Sequence, residues 1–255
     1  MNTLQHSLVT MLKSKDLNEF KKVIPYVLLP DAIRCYTKER RFSHFETEPL
    51  SGESNVLIFP IEINKLGQLN LNDYIKKDIP LKSAAIGELS SMAAFEENNQ
   101  HLDNIVYQGI KEHLYQDILF DDWIREIFDC SGKYEDVYKV NNQQMSGNEF
   151  RKFITEFEMD GLICLAFKCH EKFSIITNNQ WFAENVFEPL SKVYPEFMCN
   201  STCRYMVIPD EINKMITDNK WEELLNSRKY LRNFDYDDFY QKVIKNPLSL
   251  TKIKI

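Results

Sequence analysis

Histidine is scarce in this chain: five in 255 residues, at positions 6, 44, 101, 113 and 170. Glycine is scarce too, at seven, and long stretches have helical periodicity instead. No apolar run approaches the ~20 residues needed to span a bilayer. The opening "MNTLQHSLVTMLKSKDLNEF" has no basic region followed by an apolar core, so no signal peptide is expected. A basic surplus is also missing: 31 Lys and Arg stand against 38 Asp and Glu, a net charge of −7. Such a chain has no general electrostatic pull on nucleic acid or anionic lipid. Any phosphate ligand would need a local positive site, made by arginines or metal ions. The six cysteines are too dispersed for a disulfide scaffold and read as reduced thiols of a cytoplasmic protein. Cys199 and Cys203 have the spacing of half a metal site, but no second Cys/His pair lies nearby, so plain thiols are favoured there.

Apolar residues make up 44% and aromatics 13%, enough to bury a substantial core. "LQHSLVTMLKS" and "DLNEFKKVIPYVL" read as two helices, the second capped by Asp16 and broken or kinked at Pro25. Residues 35–54 read as loop. "NVLIFPIEI" is an edge strand or hairpin arm near 55–64, because Pro60 cannot donate to a sheet. Helices are expected at 82–98, 103–129, 147–173 with Gly161 inside, 182–193, 209–226 and 236–245. The fold class is mainly α, in one domain spanning 1–255, with 131–255 as a helical C-terminal extension of the first 130 residues.

The long helix contains "EHLYQDILFDDW". His113 and Asp117 are four apart and share one helical face, with Cβ atoms ~5–6 Å apart. Imidazole nitrogen and carboxylate oxygen both bind zinc near 2.0–2.1 Å, so one helix can offer both ligands to an ion. Asp121 continues the stripe and Asp122 follows it. The plain alternative is an exposed i,i+4 hydrogen bond. His6, Asp31 and His44 each have a structural reading when taken singly: a satisfied helix histidine, a turn cap and a histidine packed among aromatics. His101 lies about a third of a turn off the face of His113. "RCYTKERR" concentrates positive charge, including Arg34, Arg40 and Arg41, between Asp31 and His44. It reads equally well as a phosphate-binding patch or a solvated loop. Tyr36, Phe42 and Tyr115 read as core before cleft lining.

The order is His6 near the start, Asp31 after "LLPD", "SHF" at His44, then "HLYQD" on a long helix. This ordered set, over residues 4–125, resembles the zinc-dependent phospholipase C family and, more broadly, the all-α hydrolases that include S1/P1-type nucleases. The resemblance implies a phospholipase C/P1 nuclease-like helical bundle whose metal site lies in residues 1–130. It implies that His6, Asp31, His44, His113 and Asp117 are metal ligands. The metal would be zinc, one or two ions, with manganese or iron as substitutes. It further implies metal-assisted attack of water on a phosphoester, with Asp121 or Asp122 taking the proton. The substrate would be a phosphoester small molecule, a nucleotide or a lipid head group, with nucleic acid disfavoured by the acidic charge. One departure is plain: no second His/acid pair at i,i+4 follows Asp117, and "HEKF" at 170–173 has the wrong spacing. Two other readings therefore stand beside the hydrolase: a non-catalytic helical interaction protein on the same scaffold, and a nuclease or cyclic-nucleotide phosphodiesterase.

Overall fold

Helix α1 (Thr3–Lys13) starts at a capping box: Asn2 accepts from the Gln5 backbone at 2.9 Å, and Gln5 accepts from the Asn2 backbone at 3.0 Å. Everything from Thr3 to Met11 is buried, so this helix has no solvent face. Five of those residues are polar, and each finds a partner. Thr3 donates to Asp31, Gln5 to the Tyr240 hydroxyl, and Ser7 to the Thr3 carbonyl; His6 and Thr10 both meet Gln116. Such bonds offset the cost of taking these polar side chains out of water. In the computed structural model the residues described are 1–32, 48–49, 56–57, 92, 95–96, 104–128, 137–140, 143–193, 210–230 and 234–245.

The molecule is mainly helical. Helix α2 (Leu17–Val27) is capped by Asp16, as its sequence indicates, but it runs through Pro25 to Val27. Pro25 costs the ladder one donor and is buried in the core in exchange. A short antiparallel pairing joins β1 (Glu48–Pro49), in the segment read as loop, to β2 (Val56–Leu57), at the start of the expected strand region. Helix α3 (Asn104–Phe128) is the long central element. It lies against α2, where the missing side chain of Gly109 admits Tyr26: a Cβ there would sit 2.5 Å from the Tyr26 Cβ.

A hairpin that the sequence reading did not anticipate follows, β3 (Val137–Val140) with β4 (Gln143–Ser146). Ser146 and Glu149 then form the capping box that opens α4 (Gly147–Lys168). The helix expected over 147–173 breaks at Cys169, and α5 (His170–Ile176) continues it. Helix α6 (Asn179–Phe182) widens into a π-turn over Ala183–Phe187 just ahead of Pro189, which has no N–H to give, and α7 (Glu188–Val193) completes the rod. The helix expected over 209–226 is likewise two, α8 (Asp210–Thr217) and α9 (Trp221–Ser227). Asn219 adopts φ 57° between them, and Lys220 N–H reaches back to the Met215 carbonyl at 2.8 Å, a Schellman closure. Helix α10 (Tyr236–Lys245) matches its expected span.

Helix α1 is packed by α2, α4, α5 and α10. Gly161 of α4 leaves room for side chains of α10 and α1, since a Cβ there would meet the Tyr240 hydroxyl at 2.7 Å and Gln5 Nε2 at 3.0 Å. An aromatic layer of Phe120, Trp123, Phe128, Phe157 and Phe239 fills the space among α3, α4 and α10, with Trp123 stacked on Phe239 at 4.5 Å. Asp160 is buried in α4 and accepts from Arg228 Nε at 2.5 Å and from the Tyr230 backbone at 2.7 Å, tying the chain after α9 to the core. No helix among the described residues is long and apolar enough to cross a membrane.

Candidate metal centre

The buried polar face of α1 meets the histidine-bearing face of α3. His6 and His113 stack with ring centroids 3.9 Å apart and planes 21° apart. Asp117, one turn beyond His113, lies between their nitrogens: His6 Nε2 is 3.1 Å from Oδ1 and His113 Nε2 is 3.6 Å from Oδ2. All three residues are buried. Two ligands of a tetrahedral ion held at ~2.0–2.1 Å stand roughly 3.3 Å apart. The two nitrogen–oxygen separations bracket that value. His6, His113 and Asp117 are also the one group of ligand-type atoms, among the described residues, lying mutually within 4.8 Å. Two imidazoles and a carboxylate suit zinc, with manganese or iron as further occupants.

The electrostatics set the charge state of each group, with the Met1 ammonium as the cation already paired with Asp117. Burial, reinforced by neighbouring His6, pushes the His113 imidazole down to about 3 against the opposing pull of Asp117 and Asp31. His113 is therefore neutral at ordinary pH, the form that ligates. For Asp117, burial pushes the pKa up, but the Met1 amine, His6 and His113 outweigh it, and the carboxyl is held well below its usual range. The amine lies 2.6 Å from Asp117 Oδ1 and 3.6 Å from Glu158 Oε1.

Asp31 is buried in the helical residues 29–32 that follow α2 and accepts from Thr3 Oγ1 at 2.7 Å. It is close enough to act on His113 but is not within the three-residue group. Asp121 is half-buried and Asp122 exposed one turn along α3, and neither is brought into the group. His44, His101, Arg34, Arg40, Arg41, Tyr36, Phe42, Cys199 and Cys203 lie outside the described residues. Tyr115 is half-buried, with Lys13 Nζ 5.5 Å from its ring centre. His170 is exposed and meets Trp221 edge-on. Cys164 and Cys169 are free thiols.

No family model, no curated protein and no solved structure matches this chain.

Two residues of the site escaped the sequence reading. Glu158 of α4 faces the Met1 amine, and no helical spacing ties it to His113 or Asp117, because it belongs to another element. Gln116 lies beside Asp117 in sequence, yet it bonds His6 from 110 positions away. A glutamine at i+3 from a histidine carries no signal until its partner is known.

Proposed function

We propose that the chain is a metal-dependent hydrolase of phosphoester bonds, with zinc held by His6, His113 and Asp117. One observation carries the metal part of the reading. Two of the five histidines and an aspartate, from helices far apart in sequence, converge in the interior at ligand spacing, with His6 Nε2 3.1 Å from a carboxylate oxygen. The phosphoester part rests on the ordered resemblance of residues 4–125 to zinc-dependent phospholipase C. A bound zinc would lower the pKa of its water toward ~7 and neutralise charge on a phosphoryl oxygen. The chain's own contribution is to keep His113 neutral, keep Asp117 ionised and fix both on one rigid helix.

The test is metal content first and turnover second. Protein purified without chelator is expected to contain at least one equivalent of zinc, manganese or iron by elemental analysis. His113→Ala and Asp117→Asn are expected to weaken zinc binding by more than roughly 100-fold, beyond the range for an outer partner, with the helical circular dichroism kept. Chromogenic phosphodiesters and phosphomonoesters, nucleotides and phospholipids then rank the substrate classes. Less than one equivalent of metal removes the reading.

A second reading has its own observation. His6 and His113 are fully buried and Asp117 is 2% exposed, so the cluster also serves as a polar knot that joins α1 to α3 in a non-catalytic interaction protein. Metal binding without turnover on any phosphoester would favour it.

A further inference from the structure

Gln116 faces one nitrogen of His6 with an oriented side-chain amide. Its amide nitrogen donates to Thr10 Oγ1 at 3.1 Å and to Glu112 Oε1 at 2.8 Å. The same Glu112 oxygen receives Lys13 Nζ at 2.5 Å, so it is committed as an acceptor. The amide is thereby oriented: its NH2 faces Thr10 and Glu112, and its oxygen faces His6 Nδ1 at 2.9 Å. A carbonyl oxygen only accepts, so Nδ1 holds the proton. In a neutral imidazole the proton on Nδ1 leaves Nε2 as a lone pair. That Nε2 is buried, stands 3.1 Å from Asp117 Oδ1, and is not aligned for a hydrogen bond with any described group. A lone pair and a carboxylate oxygen at that separation repel; the Met1 amine, 2.6 Å from the same Oδ1, offsets this in part, and a divalent cation between them would offset it fully.

We propose that Gln116 is a positioning residue: its amide oxygen locks His6 in the Nδ1–H tautomer and presents the Nε2 lone pair, opposite Asp117, to a divalent cation. The cation, and with it the neutral ring, rests on the reading given above; the Nδ1 proton rests on the hydrogen bonds. The lock spans both ligand-bearing helices. Thr10 stands one turn past His6 on α1, and Glu112 stands one turn before Gln116 on α3. The buried Lys13–Glu112 pair fixes the far end. Without the Gln116 oxygen, Nδ1 loses its acceptor, and the stable arrangement becomes Nε2–H donating to Asp117. That tautomer caps the carboxylate and closes the site to metal.

Imidazole 15N-labelled protein, observed by two-bond 1H–15N correlation, reads the proton position directly. In the metal-free wild type His6 is expected to be protonated at Nδ1 and bare at Nε2. Gln116→Met is expected to move the proton to Nε2 and weaken zinc binding by about 10–100-fold, the range for an outer partner of a metal-bound histidine. Gln116→Glu keeps an oxygen opposite Nδ1. Beside Glu112 it shares one proton between the two carboxyls, since like charges so close do not both ionise. It is expected to retain the Nδ1–H tautomer and restore zinc affinity to within a few-fold of wild type. A purely structural glutamine would show equal losses in both variants and no tautomer change. An Nε2–H or doubly protonated His6 in the wild type overturns the proposal, as does an unchanged tautomer in Gln116→Met. If Gln116→Met does not fold, the wild-type spectrum and Gln116→Glu decide it. Failure of the wild type to bind zinc would sink the metal reading and leave the tautomer result to judge the lock by itself.

Discussion

His113 is fully buried, and burial holds it neutral, with its pKa lowered from 6.5 to about 3. The sign of the linkage follows. The unfolded chain binds a proton at His113 below 6.5, whereas the folded chain does not until about 3. Stability therefore rises with pH across that window and is lost as pH falls through it. Asp117, depressed in the folded state, adds its own loss below its unfolded value, ~3.9. Denaturant midpoints of the metal-free protein are expected to fall by several kcal/mol equivalent between pH 6.5 and 4, where an exposed histidine would change little. His113→Gln should flatten the upper part of that curve. At the same scale, burial pushes the Cys164 thiol up to about 12, with Asp237 adding to the effect. It should resist alkylation at pH 8 in the native protein and react promptly in denaturant.

Helix α3 is where element-scale forces are concentrated. Its N-terminal half seats on α2 through Gly109, its middle carries His113, Gln116 and Asp117, and its C-terminal half supplies Phe120, Trp123 and Phe128 to the aromatic layer. A helix-interior Gly→Ala change ordinarily gains about 1 kcal/mol. At Gly109 the added methyl would stand 2.5 Å from the Tyr26 Cβ and 2.9 Å from the Tyr26 backbone carbon, which cannot swing aside. Gly109→Ala is expected to destabilise by about 1–3 kcal/mol, the cost of overpacking, and to loosen the site by separating α2 from α3. Thermal or chemical denaturation reads the first effect and zinc titration the second. The helix breaks that periodicity missed are explained at this scale too. Asn219 closes α8 because its side chain tolerates the left-handed region. Cys169 stands outside helical geometry at φ −121°, ψ 39°, at a point where its own sequence contains no breaker.

Across the whole molecule, the elements after α3 build the wall behind the site. Helix α4 and helix α10 pack on α1, and Asp160 binds the chain that follows α9 through Arg228 and Tyr230. Asp160→Ala leaves the Tyr230 N–H without its acceptor and Arg228 without its counter-ion. The expected loss is about 3 kcal/mol, at the lower end for a broken buried pair, because the Arg228 side chain keeps 22% exposure. Metal should act on the same global equilibrium. A ligand that binds the folded state alone stabilises it by about 2.7 kcal/mol at 100 times Kd. Zinc is therefore expected to raise the unfolding midpoint of the wild type but not of Asp117→Asn, and a chelator to reverse the shift.

The sequence by itself determined the helices and one half of the site. The period of 3.6 residues placed α1, α2, α3 and α10, and it put His113 and Asp117 on one face, because i,i+4 neighbours are set by local geometry alone. The place of His6 beside them was reached only through a family resemblance, and Gln116 and Glu158 were not reached at all. Their roles depend on contacts between residues 110 positions apart for His6 and Gln116, and no local rule encodes such a distance. Only the meeting of α1 with α3 decided that a buried His6 ring nitrogen faces a buried carboxylate, because that meeting is a property of two helices and not of either one.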